Sequence, residues 1–303
     1  MMLRSSLFVG QARLRLSTYV SKRYKVFMIA LLLSMMAAAN YPVIPRPVNR
    51  NLGKTTIIDT SFVQVYYAFN ADNIQKMDSY EDFQCLEIGK KNVRYFSVFL
   101  EKGEQKVNKW LQEHKGAQSV PNVNTDGKRG LYWSEYQYTE LYIQKDKLIG
   151  FYCFPMYLSK YNASCVEGFP LQKWKMEEET KTICNYRCQK AVCHFRGRNF
   201  TAWFTSDLPL KYGPWKFGGL PGLILRLSDS TGEYTFECVK IERKKKTLPQ
   251  HAFNKYTQKK RIDIVKLQRL INENFFAVVG ANGGNLPLVT NASYKPLEFI
   301  TVR

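Results

Sequence analysis

Three cysteines and a histidine lie close together in the middle of the chain, in the order Cys184-x3-Cys188-x4-Cys193-His194. Thiolates and imidazoles bind zinc, but structural zinc sites use short-spaced cysteine pairs that recur at a distance. The segment is predicted to be a strand, in which Cys184 and Cys188 would lie about 13 Å apart on one face. That separation exceeds the roughly 7 Å between Cα atoms that a disulfide tolerates. The pattern therefore favours disulfides from this strand to its neighbours, and we predict no metal site.

The number and positions of all the cysteines also favour disulfides over a metal site. The chain contains seven of them, all after an apolar N-terminal region that has the pattern of an export signal, and exported chains meet an oxidising compartment in which disulfides form. The number is odd, so at least one thiol stays free or pairs outside the chain. Their connectivity is left open. The disulfide candidates are Cys153, Cys165, Cys184, Cys188, Cys193 and Cys238.

Histidine is scarce, with only His114, His194 and His251. A nucleophile paired with a histidine could make a hydrolase, and Cys193 or His194 would then carry the reaction. The chain lacks the G-x-S-x-G, H-E-x-x-H, P-loop and dinucleotide glycine patterns. We therefore predict no catalytic residue and no cofactor, and keep the thiol- or histidine-dependent hydrolase as the alternative.

The net charge of +20 is strongly basic. Residues 1–39 contribute six Lys/Arg and no acid, so the remainder of the chain is basic as well. Basic runs occur at Arg243–Lys246 and Lys259–Arg261. They suit an anionic surface such as lipid headgroups. The alternative interpretation is that they are the solvent-exposed end of a strand and the start of a helix, without a partner. In an exported protein no nucleic-acid partner is expected.

The N-terminus has the pattern of an export signal. Residues 22–25 are basic, residues 26–36 are apolar, and Ala37-Ala38-Ala39 supplies an A-x-A cleavage pattern. We predict a signal peptide with a long leader over residues 1–39 and a flexible lead-in over residues 40–55. A single β-rich domain is predicted over residues 56–303. A membrane anchor is the alternative reading of the apolar stretch.

Alternating apolar and polar residues indicate the strands that would position the cysteine and histidine side chains. Glu233–Lys244, for example, is predicted to be a strand because Tyr234, Phe236 and Cys238 alternate with Glu233, Thr235 and Glu237, whereas Ser159–Gly168 is predicted to be a loop. Lys255–Phe276 is predicted to be a helix with one apolar face. That face consists of Ile264, Leu267, Ile271 and Phe275. Strands follow one another with few helices between them, which favours an antiparallel sheet. The predicted fold is mainly β within the α+β class: a curved antiparallel sheet or partial β-barrel, with a helix of the C-terminal half packed on it.

The segment Trp203–Leu227 is rich in glycine, proline and tryptophan and ends in an apolar run. Pro221-Gly222 fits the centre of a type II turn, in which glycine supplies a positive φ. Leu223–Leu225 is predicted to be a buried strand. Glycine and proline provide backbone geometry rather than chemistry, so ligand contacts are expected from the aromatic residues around them. The predicted ligand-binding residues are Trp203, Trp215 and Phe217.

The stretch Gly219-Leu220-Pro221-Gly222-Leu223-Ile224 resembles the signature of the GLPGLI family of exported proteins from Gram-negative bacteria. The resemblance covers roughly residues 90–245 and is most specific between residues 174 and 228. Further matching positions are Trp174, Lys181, Ile183, Tyr186, Cys188, Lys190-Ala191, Trp203-Phe204-Thr205, Leu208-Pro209, Gly213-Pro214 and Phe217. The resemblance implies a location in the periplasm or at the outer membrane. Because the family's activity is unassigned, it implies no catalytic residue.

Taken together, these features favour an exported, non-enzymatic binding or interaction protein whose ligand is a lipid, a peptide or an outer-membrane partner. The alternatives are the hydrolase described above and a purely structural envelope protein. An envelope component or apolar ligand is the expected partner, with contact to an anionic surface as a further expectation.

Overall fold

The computed structural model describes residues 50, 52–117, 126–128, 133–280 and 296–299. The predicted signal peptide and most of the predicted lead-in lie outside these residues. From Leu52 onward the predicted lead-in already belongs to the first strand rather than to a flexible segment. The predicted domain boundaries stay predictions.

Within the described residues, thirteen strands form one sheet. The strands are β1 (Leu52–Phe69), β2 (Asp82–Gly89), β3 (Asn92–Ser97), β4 (Thr139–Gln144), β5 (Lys147–Tyr152), β6 (Ala163–Gly168), β7 (Lys175–Ile183), β8 (Tyr186–Phe195), β9 (Arg198–Thr205), β10 (Leu223–Asp229), β11 (Thr235–Glu242), β12 (Lys246–Phe253) and β13 (Thr257–Gln258). The two α-helices are α1 (Val98–Glu113) and α2 (Arg261–Gly280).

The sheet is open and almost entirely antiparallel. Its order is β13-β6-β5-β4-β3-β2-β1-β11-β10-β9-β8-β7, with β12 paired to β1 beside this path. Among the strand pairs of the described residues, only the short β13–β6 pair is parallel. The central strand β1 has 18 residues and pairs with β12 along its first half and with β11 along its second half. The predicted mainly β, antiparallel fold is confirmed, and the sheet is not closed into a barrel.

Tight turns with left-handed backbone conformations join several of the hairpins. Cys184 and Asn185 have φ values of 48° and 65° between β7 and β8. Arg196 and Gly197 have φ values of 48° and 86° between β8 and β9. Two consecutive residues with positive φ match the twist of the flanking strands, which explains why these connections are so short. Cys184 therefore lies in a turn and not on the strand to which the sequence assigned it.

The main core lies between β1–β5 and β8–β11. Tyr67 and Phe217 are fully buried there, as are Leu223, Ile224 and Leu225 of β10. The Tyr67 hydroxyl donates a hydrogen bond to the Ile224 carbonyl oxygen over 2.7 Å, which joins β1 to β10 across the core. The predicted buried strand at Leu223–Leu225 is confirmed.

Both helices pack on the sheet. Ser97 caps α1, because its hydroxyl accepts a hydrogen bond from the Leu100 amide over 3.0 Å. Helix α2 buries Ile264 and Ile271 in a second apolar cluster that includes Tyr152 and residues around β5 and β6. The predicted packing of a C-terminal-half helix on the sheet is confirmed. Of its predicted apolar face, the Phe275 side chain lies outside the described part of the chain.

Two element predictions need correction. The predicted loop Ser159–Gly168 contains β6, which pairs with β5 along its whole length. The predicted helix from Lys255 begins instead at Arg261, because Thr257 and Gln258 pair with β6 as β13. In both places backbone hydrogen bonds to β5 or β6 determine the conformation, and side-chain periodicity does not reveal such bonds.

Candidate functional site

The connection between β9 and β10, residues 206–222, is called the motif loop here because it carries most of the Gly219–Ile224 signature. Backbone hydrogen bonds hold it in one conformation. The Gly219 amide donates to the Lys211 carbonyl over 3.1 Å, and the Ile224 amide donates to the Tyr212 carbonyl over 3.0 Å. The loop therefore folds back on itself and is fixed to the first residues of β10.

Glycines are required in this loop mainly by close contacts. A Cβ on Gly222 would lie 2.0 Å from the Thr205 carbonyl oxygen, and one on Gly218 would lie 2.6 Å from the Lys211 carbonyl oxygen. Gly219 has a φ of 81°. The predicted type II turn with a positive φ at Gly222 is wrong, since the left-handed residue is Gly219. Close approach to β9 is what excludes a side chain at Gly222.

The three predicted ligand-binding aromatic residues do not share a surface. Phe217 is fully buried and Trp215 is 7% exposed, and both pack into the main core. Trp203 is partly exposed on β9, where the Lys181 ammonium lies 4.4 Å from its ring centre. Of the three, only Trp203 is partly exposed, whereas the buried Trp215 and Phe217 anchor the motif loop in the main core.

An open cleft of about 380 Å³ lies on the solvent side of the motif loop. Three separate segments form it: the end of β4 with the following turn, the connection after β6, and the motif loop. Its lining residues are Ile143, Lys145, Phe169, Leu171, Pro209, Leu210, Lys211, Tyr212 and Gly219. We call this feature the motif cleft. Its volume falls within the range typical of small-molecule sites.

The lining is mostly apolar, with two cationic groups. Leu171 is 75% exposed, which is unusual for a leucine that lies beside other apolar groups. The Phe169 and Tyr212 rings meet edge to face with centroids 6.5 Å apart. Lys145 and Lys211 are exposed. None of the described lining residues carries a carboxylate, imidazole, thiol or aliphatic hydroxyl, and the ionisable side chains of the lining are those of Lys145, Lys211 and Tyr212.

Hydrogen bonds fix the wall of the cleft that carries Leu171. The Gln172 side-chain amide donates to the Lys216 carbonyl over 3.1 Å, and its oxygen accepts from the Gly218 amide over 3.1 Å. The Trp174 indole donates to the Gly218 carbonyl over 2.8 Å. The connection after β6 is therefore bound to the motif loop directly after the exposed leucine, and the cleft is preformed. Sequence reasoning identified the motif loop and, in this wall, named only Trp174, as a position of the family resemblance without an assigned role.

Lys216 of the motif loop is buried in an ionic cluster behind the cleft. Its ammonium contacts Glu298, and Arg196 donates to the same carboxylate over 2.8 Å. Burial lowers the pKa of Lys216. A small cavity of about 20 Å³ adjoins Lys216 and Glu298, with room for about one water molecule. This cluster anchors the loop and leaves no space for a ligand.

A second ionic network is buried beneath α1 and β12. Glu140 accepts hydrogen bonds from Arg94 over 2.7 Å and from Arg50 over 2.6 Å. Burial alone would raise the pKa of Glu140, but the two guanidinium groups outweigh it and hold the pKa at about 2. Both guanidinium groups also contact carboxylates of α1. The network therefore attaches α1 to the sheet.

Asp82, at the start of β2, is buried, and its hydrogen-bond partners within the described part of the chain include no cation. Its carboxyl accepts from the Ser97 hydroxyl over 2.6 Å, the Gln84 amide over 3.0 Å and the Gln137 amide over 3.3 Å. Burial raises the pKa of Asp82 to about 7, although these neutral donors work in the opposite direction. The site therefore titrates near neutral pH.

The cysteines and His194 do not form the predicted chemistry. All seven cysteines are free thiols in the structure, so none of the predicted disulfides is present. Burial raises the pKa of Cys193 to about 12, and its neighbour His194 is exposed and bonded to Asn199 over 2.8 Å. Adjacent strand residues project to opposite faces, so Cys193 and His194 cannot act as a catalytic pair. Among the described residues, no group of three or more potential ligands could hold a metal ion.

Comparisons with known proteins give one family match. A family model described as the N-terminal domain of an N-glycanase peptide matches residues 158–268, a span shorter than half of the chain. No protein of the curated set matches the sequence. In the part of the chain that the structure describes, no helix is long and apolar enough to cross a membrane.

Among solved structures, the chain is similar to PNGF-II in two crystal forms. The form in space group P21 gives a TM-score of 0.46 at 15% identity, covering 71% of this chain and 34% of that chain. The form in space group C2 gives a TM-score of 0.45 at 15% identity, covering 71% and 33%. The chain thus spans about a third of the length of the PNGF-II chains.

Proposed function

We propose that the protein is an exported, non-enzymatic binding protein of the Gram-negative cell envelope and that its motif cleft holds the acyl chain of an anionic lipid. The lining of the cleft carries this proposal: aliphatic and aromatic side chains are open to solvent beside two ammonium groups. The predicted signal peptide and the resemblance to the GLPGLI family support the proposed location. Binding is supported by a lining whose aliphatic and aromatic side chains outnumber its ionisable groups.

An acyl chain fits the cleft for two reasons. Each methylene group that leaves water contributes about 0.8 kcal/mol, and Leu171, Phe169 and Tyr212 offer the apolar surface that would receive it. Lys145 and Lys211 would attract a carboxylate or phosphate headgroup. The hydrogen bonds of Gln172 and Trp174 keep the cleft preformed, which reduces the entropy lost on binding.

Fluorescence titration of the full chain with dansyl-labelled undecanoic acid tests this proposal. The Leu171→Asp variant places a negative charge among the apolar groups, and we expect its affinity for the probe to fall by about tenfold or more. Leu270→Asp is the matched control, because Leu270 is 46% exposed on α2 and does not line the cleft. An absence of binding, or equal loss in both variants, would overturn the lipid proposal.

A second candidate ligand is a glycan, and the family match favours it. The model named for an N-glycanase covers residues 158–268, which include Phe169, Leu171, Lys211, Tyr212 and Gly219 of the cleft. Calorimetric titration with an N-glycosylated peptide and with the same peptide lacking its glycan separates the two ligands. Glycan-dependent binding that Leu171→Asp abolishes would favour the glycan over the lipid.

A further inference from the structure

The thiols of Cys184 and Cys238 lie next to each other although their positions in the chain differ by 54. Their Sγ atoms are 3.5 Å apart, and the Cys184 thiol donates to the Cys238 carbonyl over 3.0 Å. Cys184 lies in the β7–β8 turn, and Cys238 lies within β11 opposite Tyr67 of β1. Since β9 and β10 separate β11 from β8 in the sheet order, the sheet must curl to bring the turn onto β11.

The two thiols differ in access and acidity. Cys238 is 2% exposed, whereas Cys184 is partly exposed in its turn. The hydrogen bond with Cys238 lowers the pKa of Cys184. The same hydrogen bond, followed by burial, raises the pKa of Cys238. A solution oxidant therefore meets the more exposed thiol, that of Cys184, first, with Cys238 protected directly behind it.

We propose that Cys184 and Cys238 form a disulfide when the chain meets a disulfide-bearing oxidant, and that this cross-link closes the covalent ring that contains the motif loop. The Cys184 thiolate attacks one sulfur of the oxidant, forms a mixed disulfide and releases the first thiolate. Cys238 then loses its proton and attacks the Cys184 sulfur, which forms the Cys184–Cys238 bond and releases the second thiolate. Two electrons pass to the oxidant, and the two thiol protons pass to solvent or to the released thiolates.

Only a small movement is required. A disulfide holds its sulfur atoms about 2.05 Å apart, so the present 3.5 Å separation must shorten by about 1.5 Å. Cys184 lies at the tip of the β7–β8 hairpin. Rotation about χ1 of Cys184 and of Cys238, together with a small shift of the turn, can bring the two sulfur atoms this much closer. The closed ring would span β8, β9, the motif loop and β10, and it would restrict the unfolded chain over this whole length.

Peptide mass mapping of the full chain tests the pairing. The protein is treated with oxidised glutathione, unfolded, alkylated and digested, and we expect one cross-linked peptide pair that contains Cys184 and Cys238. Native alkylation before oxidation should modify Cys184 ahead of the buried cysteines. Pairing of Cys184 with Cys188 or any other cysteine, or a Cys184 that stays reduced under these conditions, would overturn the proposal.

Thermal unfolding gives an independent readout. Reduction of the oxidised protein should lower Tm by about 10 °C, because a ring of this size restricts the unfolded chain strongly. The Cys184→Ser variant should lose this difference between oxidised and reduced protein. Cys193→Ser, which changes a buried cysteine of β8 outside the pair, should keep it. A redox-dependent Tm that persists in Cys184→Ser would contradict the assignment.

Discussion

The buried carboxyl of Asp82 makes stability depend on pH near neutrality. Its pKa is about 7 in the folded protein and close to 3.9 in an unfolded chain. Between these values the folded state binds more protons than the unfolded state, so the free energy of unfolding decreases as pH rises. Three pH units at about 1.4 kcal/mol each amount to about 4 kcal/mol lost between pH 4 and pH 7. Above the folded pKa the contribution becomes constant.

The Asp82→Asn variant removes this titration while keeping a similar side-chain shape. Urea unfolding at pH 5, 6, 7 and 8 should show the wild-type protein losing stability relative to the variant by about 1.4 kcal/mol per pH unit up to pH 7. The difference in slope is the informative quantity, because the amide also alters the hydrogen bonds with Ser97 and Gln84 at every pH. Equal pH dependence of the two proteins would show that Asp82 does not carry a buried proton.

Two further predictions concern the packing of the sheet. Gly222→Ala would place a Cβ 2.0 Å from a backbone oxygen of β9 and should cost about 3 kcal/mol or more, whereas Gly168→Ala meets nothing within 4 Å and should be nearly neutral in urea unfolding. Glu140→Gln should cost about 3–5 kcal/mol at pH 7, because it leaves the Arg94 charge buried with less compensation. Lys109→Gln, which removes an exposed ion pair, should cost less than about 0.5 kcal/mol. Since the pKa of Glu140 is depressed to about 2, its contribution is present above about pH 4.5 and is lost as pH falls toward 2; retention of full stability at pH 2 would contradict this.

The class of fold could be predicted from the sequence because the information was local. Alternation over Glu233–Lys244 and the apolar run at Leu223–Leu225 each point to a strand without knowledge of its neighbours. The helix face of Ile264, Leu267 and Ile271 likewise follows from spacing alone. Strand β6 was missed, since its short sequence has no clear alternation and its pairing with β5 depends on backbone hydrogen bonds.

The candidate site could be predicted only in part. The motif loop was recognisable from its glycines and prolines, but the burial of Trp215 and Phe217 depends on β8 and β9 packing beneath them. The cleft itself joins residues near 143, 170 and 211, and no pattern in the sequence shows that these segments meet. Leu171 carries no signal at all in the sequence, because an exposed leucine looks the same as a buried one until the fold is known.

The proximity of Cys184 and Cys238 also depended on tertiary structure. Both were among the sequence-based disulfide candidates, but the assignment of Cys184 to a strand obscured its role. The positive φ of Cys184 and Asn185 places it at a hairpin tip, and curling of the sheet brings that tip to β11. The position of the β7–β8 turn therefore determines which cysteine lies beside Cys184, and the spacing of the cysteines along the chain does not.

The central claim is that the motif cleft is a binding site for an acyl chain with an anionic end. Its most direct test is a methyl NMR titration of the full chain with sodium laurate, below the concentration at which laurate forms micelles. Binding in the cleft predicts saturable shift changes at the methyl groups of Ile143, Leu171 and Leu210, which line it, and no change at Leu270 on α2. Shifts that are absent, that do not saturate, or that are confined to methyl groups outside the cleft would contradict it.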